Sequence, residues 1–216
     1  MDSPPLAGLD PAELPRGRHG IRAEVARDGA QSVGADVVVV RGTDGPTLLA
    51  IGAVHGDEYE GPVALARLAS ELDPGTLRGT LVAIPVLNEP AFYLPARCGP
   101  DGLNLARVFP GRGDGAVTEQ IAASLTALLA RVDALVDLHA AGSYYRLHPW
   151  AGYGLHADPA VLATQRRLAI AFGLDFVWGT GLAEGRTLSA AATLGVPAIY
   201  VEMTGAGLCR AADVAA

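Results

Sequence analysis

Continuous apolar segments alternate with segments of helical periodicity along this 216-residue chain, and this alternation is what most restricts its fold. Uninterrupted runs of Val, Ile, Leu and Ala are typical of parallel strands that are buried on both faces. Strands are predicted at residues 21–27, 35–41, 47–54, 80–86, 134–138 and 196–203. Helices are predicted, from apolar residues three and four positions apart, at residues 62–72, 118–132, 158–172 and 187–194. The order of these elements predicts an α/β fold with three layers, α/β/α, around a mostly parallel central sheet.

The domain organisation expected from the sequence is a short arm followed by one domain. Residues 1–20 contain four proline residues and no apolar periodicity, so we expect a flexible N-terminal arm. Residues 21–216 are expected to form a single domain, since a chain of this length can bury roughly 70% of the surface that its unfolded form exposes. Residues 88–115 and 140–157 have no clean periodicity, and connections this long in a domain are usually functional or disordered. Thr118 is expected to be the N-cap of the helix that follows the first of them.

Composition and charge argue against several classes of partner. The net charge of −7 argues against nucleic acid or an anionic membrane surface as the main partner. No apolar run reaches the roughly 18 residues of a membrane span, and the N-terminus has no pattern of a secretory signal, so we expect a cytoplasmic protein. All 16 basic residues are Arg, which excludes a P-loop lysine and a Schiff-base lysine. The two cysteines, Cys98 and Cys209, have no metal-type spacing.

Residues able to bind a metal or transfer protons follow three of the predicted strands. His55 follows the strand at 47–54, His139 follows the strand at 134–138, and Glu202 lies at the end of the last strand. Ligands of open α/β sheets bind beyond the carboxyl ends of the strands, which is where these side chains are expected.

A metal site of catalytic type can be assembled from these residues. A catalytic zinc ion takes three His or carboxylate ligands and leaves a fourth position for water. His55 and Glu58 are three residues apart in a turn that enters a helix, and His139 supplies a third ligand. Asp137 lies two residues before His139 and is a weaker candidate for supporting the site. Taken singly, each of these residues is more often structural, so the prediction rests on their conjunction.

Four motifs, in the same order, give the chain a resemblance to a known family. The motifs are HGDEYEG at 55–61, DGLNLARVFPG at 101–111, DLH at 137–139 and VE at 201–202. Together they resemble the succinylglutamate desuccinylase/aspartoacylase family, whose members are zinc-dependent deacylases related to the metallocarboxypeptidases. The HGDEYEG string and the ten-residue step between two arginines resemble most the subgroup that removes acetyl groups from N-acetyl-diaminobutyrate-type amino acids. The resemblance implies a zinc-carboxypeptidase-like fold.

The resemblance also implies a role for each site residue. One zinc ion per chain would be held by His55, Glu58 and His139. Glu202 would be the general base that takes a proton from the zinc-bound water and passes it to the leaving amine. Arg97 would stabilise the oxyanion, and Arg107 would pair with a carboxylate of the substrate. These roles agree with the known chemistry of zinc, carboxylate and guanidinium groups in amide hydrolysis.

Two departures from the family pattern affect substrate recognition. The family usually has Asn at the position of Ala106, where it grips the substrate carboxylate together with the following Arg. The chain also stops soon after Glu202, so we expect it to lack the smaller C-terminal β domain of the family. A site shortened in this way would be more open, or would take a wall from another subunit of a homo-oligomer.

The function predicted from the sequence is the zinc-dependent hydrolysis of an amide bond in an N-acyl amino acid or a related small amide. Two alternatives stay open. A metallocarboxypeptidase-like peptidase would use the same metal site, and a metal-binding protein without turnover would fit the substitution at Ala106.

Overall fold

A single eight-stranded sheet forms the centre of the computed structural model, which describes residues 3–214. Its strands are β1 (Gly17–Asp28), β2 (Gln31–Arg41), β3 (Thr43–Gly52), β4 (Arg78–Ile84), β5 (Ala134–Ala140), β6 (Trp150–Gly154), β7 (Phe176–Thr180) and β8 (Ala198–Met203). They lie in the order β1-β2-β4-β3-β5-β8-β6-β7. The neighbours β4-β3, β3-β5, β5-β8 and β6-β7 are parallel, and the remaining three pairs are antiparallel.

The helices cover both faces of this sheet. They are α1 (Glu60–Glu71), α2 (Glu89–Phe92), α3 (Val117–Leu129), α4 (Pro159–Ala171), α5 (Thr187–Thr193) and α6 (Ala211–Val214), with short 3-10 helices at Leu6–Gly8 and Leu105–Arg107. One apolar core joins the sheet to α3 and α5, and a second joins its other face to α1 and α4. The predicted α/β fold with three layers is therefore confirmed.

The alternation of side chains along β5 shows how the sheet separates the two cores. Leu135 points into the core beneath α3, whereas Val136 and Leu138 point into the core beneath α1. Because successive side chains in a strand point to opposite faces, Asp137 and His139 lie on the same face as Leu135. The strand thus continues from an apolar core directly into a polar site.

The N-terminal segment that we expected to be a flexible arm contributes to this first core. Leu6 is fully buried there, and the 3-10 helix Leu6–Gly8 packs against α3. The last residues of the segment belong to β1, which begins at Gly17.

Two strands and one helix cap differ from the sequence predictions. The second irregular segment contains β6, and β7 was not predicted. Both strands have only five residues and include glycine, so no apolar run marks them. The prediction of Thr118 as an N-cap is wrong, because α3 begins after Ala116. Asp101, from the long loop, supplies the cap by accepting hydrogen bonds from the amide (2.9 Å) and hydroxyl (2.8 Å) of Thr118.

The order of the strands brings the candidate site residues together. The adjacent parallel strands β3, β5 and β8 end at the same edge of the sheet. His139 pairs in register with Glu202 across β5 and β8, and His55 follows β3 by three residues. Within residues 3–214, no helix is both long and apolar enough to cross a membrane.

Candidate metal centre and active site

A tight turn after β3 carries His55 and Glu58 to the site. The backbone carbonyls of Gly52 and Ala53 accept hydrogen bonds from the amides of Leu87 and Asn88, which ties the turn to the end of β4. At Gly56 the turn passes so close to α2 that a Cβ atom would lie 2.1 Å from the carbonyl carbon of Ala91. Only glycine permits this approach, which explains the glycine that follows His55.

Three buried side chains converge at this position. The Nδ1 atom of His55 lies 2.7 Å from Oε1 of Glu58, and the Nδ1 atom of His139 lies 3.0 Å from Oε2 of the same carboxylate. One potential ligand atom from each residue lies within 4.8 Å of the other two. The structure therefore brings together the two histidines and the glutamate that the sequence singled out as metal ligands.

Each imidazole ring has an acceptor on its far side. The Nε2 atom of His55 lies 3.1 Å from Oδ1 of Asn104, and the Nε2 atom of His139 lies 3.1 Å from Oδ2 of Asp137. Asn104 Oδ1 also accepts a hydrogen bond from the amide of Ala106, so this amide group presents its oxygen to His55. Both rings can thus donate a proton from Nε2, as histidines that bind metals commonly do.

With the protons on Nε2, the two Nδ1 lone pairs and the Glu58 carboxylate face one another. Such a group of acceptors is stable only with a cation or protons between them. Two imidazole nitrogens and one carboxylate are also a common ligand set of catalytic zinc. The residues present therefore fit a divalent metal ion, and zinc in particular.

The pKa values of the ligands show the same preference for positive charge. Burial alone would lower the pKa of His139, but Asp137 and Glu58 raise it well above its usual value. Burial would likewise raise the pKa of Glu58, but His139 and His55 hold it well below the usual range of a carboxyl group. The carboxylate is therefore ionised in a site that stabilises a cation.

A cavity of about 280 Å³ opens next to these groups. The other predicted site residues line it. The residues that were named from the sequence and that line this cavity are His55, Arg97, Ala106, Arg107, Asp137, His139 and Glu202. Arg97 also reaches Glu58, with 3.3 Å between Nη1 and Oε1. Glu58 itself is buried and is not among the residues that line the cavity.

Glu202 has the environment of a group that exchanges protons near neutral pH. Burial raises its pKa to about 7, with further contributions from Glu58 and Asp137, while His139 and Arg97 act in the opposite direction. A carboxyl group with such a pKa is well matched to general acid–base chemistry at neutral pH.

The sequence analysis missed several residues of this cavity. Trp178 lies on the unpredicted strand β7, and Tyr200 precedes Glu202 by two residues on β8. Arg186 lies just before α5 and adds a third arginine to the cavity. No motif marks these three residues. Asn104 had a usable signal, because it lies within the DGLNLARVFPG motif, but no role had been given to it.

Comparison with families and solved structures agrees with this geometry. A family model for the succinylglutamate desuccinylase/aspartoacylase catalytic domain matches residues 44–216. A succinylglutamate desuccinylase from Silicibacter sp. TM1040 superposes with a TM-score of 0.86 at 33% identity, over 94% of this chain and 65% of that chain. The ectoine utilization protein EutE from Ruegeria pomeroyi, solved with product bound, superposes with a TM-score of 0.85 at 33% identity, over the same shares of the two chains.

A curated relative has a higher identity over a shorter alignment. The N-alpha-acetyl-L-2,4-diaminobutyric acid deacetylase of Halomonas elongata is 40% identical over 146 residues, which are 65% of this chain and 42% of that protein. The chain thus spans less than half the length of this relative and about two thirds of the length of the solved structures.

Proposed function

This chain belongs to the succinylglutamate desuccinylase/aspartoacylase family, and from that premise we propose that it hydrolyses the amide bond of an N-acyl amino acid in a zinc-dependent reaction. The observation that carries this proposal is the convergence of His55, Glu58 and His139 beside a cavity that Glu202 and Arg97 also line.

The proposed metal ligands are His55, Glu58 and His139, with one zinc ion per chain. A bound zinc ion supplies a Lewis acid that polarises a carbonyl group and lowers the pKa of water. Asn104 and Asp137 orient the two imidazole rings through Nε2, so they fix the tautomer that leaves each Nδ1 atom free to bind. The amide of Ala140 and the guanidinium of Arg97 hold the Glu58 carboxylate in place.

Glu202 is the proposed general base. It pairs in register with His139 on the neighbouring strand, so its carboxylate lies at the same edge of the sheet as the metal ligands. In the ionised form it takes a proton from the attacking water, and it then delivers this proton to the nitrogen of the leaving amine. Proton transfer by a positioned group of this kind contributes about a hundredfold to ten-thousandfold to the rate.

The arginines are proposed to bind the negative charges of the substrate. The guanidinium of Arg97 contacts the carboxylate of Glu58, a proposed metal ligand. Negative charge develops on the substrate's carbonyl oxygen near the metal during hydrolysis, so we assign the stabilisation of this oxyanion to Arg97. Arg107 lines the same cavity and is assigned to a carboxylate of the substrate.

The similarity to the Halomonas elongata deacetylase supports an acetyl group as the acyl part and a diaminobutyrate-type amino acid as the amine. The cavity volume of about 280 Å³ also suits a small molecule more than a long peptide.

The test is a substrate panel with the full-length, zinc-loaded protein. Release of the free amine is measured from N-acetyl-2,4-diaminobutyrate, other N-acetyl and N-succinyl amino acids, and short peptides. We expect turnover of N-acyl amino acids, loss of turnover in Glu202→Gln with the zinc retained, and normal turnover in the exposed control variant Arg78→Gln at the opposite end of the sheet. Cleavage of peptides alone would replace the proposal by the peptidase alternative, and zinc binding without any turnover would reject an enzymatic function.

A further inference from the structure

Arg186 is held in place by contacts on both sides along the chain. The carbonyl of the preceding residue, Gly185, accepts a hydrogen bond of 3.1 Å from the amide of Phe109. The hydroxyl of the following residue, Thr187, donates to Oδ2 of Asp137, the carboxylate that orients His139. The backbone of Arg186 is therefore fastened both to the loop that carries Arg107 and to the candidate metal site.

The contact between Gly185 and the Arg107 loop is unusually close. Gly185 has a φ angle of +78°, and a Cβ atom at this position would lie 2.3 Å from the carbonyl oxygen of Arg107. Glycine permits both the backbone angle and the approach. The consequence is that the adjacent residue, Arg186, lines the same cavity as Arg107, although the two are far apart along the chain.

The guanidinium groups of Arg107 and Arg186 have no carboxylate partner within residues 3–214. Arg107 donates to the carbonyl oxygen of Ala106 at 2.7 Å, which uses one of its five N–H groups. Burial and the positive charges of Arg186 and Arg97 lower the pKa of Arg107. An anion that entered between these side chains would relieve this repulsion and would accept several hydrogen bonds.

The residue beside Arg107 supplies no donor from its side chain. Ala106 lines the cavity with a methyl group, at the position where the family pattern has an Asn that shares the substrate carboxylate with the arginine. A second donor for that carboxylate must come from another element, and Arg186 faces the same space.

We propose that Arg186 and Arg107 together bind the carboxylate of the amino-acid part of the substrate, and that Arg186 supplies the donor that Ala106 lacks. This inference rests on the proposed function, because it assumes that the ligand of the cavity is an N-acyl amino acid. It makes Arg186 a determinant of specificity for substrates with a free carboxylate.

The test compares two ligands that differ only in charge, N-acetyl-2,4-diaminobutyrate and its carboxamide. Binding to the full-length protein is measured by calorimetry, and KM and kcat are measured for both. The variants are Arg186→Gln, Arg186→Lys and the exposed control Arg78→Gln. Since hydrogen bonds between charged groups are among the strongest in proteins, we expect Arg186→Gln to weaken carboxylate binding by about tenfold to a hundredfold.

The preference for the carboxylate over the carboxamide is the decisive quantity. We expect Arg186→Gln to abolish most of this preference, mainly through Kd and KM rather than kcat, and Arg186→Lys to retain part of it through its charge. Arg78→Gln should keep the wild-type preference. An unchanged preference in Arg186→Gln, or equal losses for both ligands, would overturn the inference.

The two proposals fail in different ways. A wild-type protein that binds the carboxylate ligand in an Arg186-dependent manner but releases no acetate would reject the deacylase function and support the carboxylate subsite. A wild-type protein that hydrolyses both ligands equally well would support the deacylase function and overturn the subsite. A wild-type protein that binds neither ligand would overturn both.

Discussion

Replacing Glu202 by Gln should stabilise the folded protein at alkaline pH while removing its activity. Burial raises the pKa of this carboxyl group from 4.5 to about 7. Ionising Glu202 therefore costs more in the folded chain than in the unfolded chain. The uncharged amide of Gln has nearly the same shape and never bears this cost.

The direction in which stability changes with pH follows from the protons bound by the folded and unfolded states. Between pH 4.5 and 7 the folded state holds the Glu202 proton and the unfolded state has lost it, so the stability contributed by this residue falls as the pH rises. Each pKa unit corresponds to about 1.4 kcal/mol, which gives an upper limit of about 3 kcal/mol above pH 7. Because solvent reaches part of the side chain, we expect an observed gain of about 1–3 kcal/mol for Glu202→Gln at pH 8 and little gain at pH 4.5.

The assay is urea unfolding of wild type and Glu202→Gln at several pH values between 4.5 and 8. EDTA is present, so that no divalent ion adds its charge to the site. The exposed variant Glu13→Gln serves as the matched control, and it should follow wild type at every pH. In parallel, kcat/KM of the zinc-loaded variant should fall at least a hundredfold.

A stability difference that is the same at pH 4.5 and pH 8 would contradict this prediction, since only a titrating group produces a pH-dependent difference. A fully active Glu202→Gln enzyme would assign the general base to another residue, whatever its stability.

Four further predictions concern the metal ligands and the substrate end of the site. His139→Ala should reduce bound zinc, measured by elemental analysis, from about one ion per chain to none, and undiminished zinc would remove this residue from the ligand set. Asp137→Asn should weaken zinc affinity about tenfold to a hundredfold in a chelator competition, because the charge that orients the imidazole is lost. Ala106→Asn should lower KM for acidic N-acyl amino acids about tenfold, and an unchanged KM would mean that this side of the cavity does not face the substrate carboxylate. Gly185→Ala should lower the free energy of unfolding by about 1–3 kcal/mol more than the control Gly102→Ala, since both have positive φ angles but only the first would press a Cβ atom against backbone.

The strands of the central sheet were predictable because burial on both faces leaves a simple record in the sequence. The apolar runs at β2, β3, β4 and β5 can be recognised from the single sequence. In contrast, β6 and β7 are five-residue strands at one side of the sheet, where glycine and aromatic residues interrupt any pattern. Their formation depends on pairing with β8 and with each other, which local sequence does not reveal.

Two candidate metal ligands and the proposed general base were also predictable, because His55, His139 and Glu202 lie at or just after the ends of parallel strands that meet at one edge of the sheet. The contacts around these residues were harder to predict from the sequence. Asp101 caps α3 from a distant loop, and Arg186 reaches the cavity only because Gly185 contacts the Arg107 loop. Such contacts join segments that are remote in sequence, and each depends on a single side chain or a single close approach rather than on a repeated pattern.

The hydrogen bond between Thr187 and Asp137 has a consequence for how this site can evolve. It joins a residue next to Arg186, which we propose to bind the amino-acid part of the ligand, to the carboxylate that aligns the imidazole of His139, a candidate metal ligand. New selectivity gained by reshaping residues 185–187 would therefore also disturb the candidate metal centre. Variation that spares this connection has to come from other walls of the cavity, which include Trp178 and Leu182.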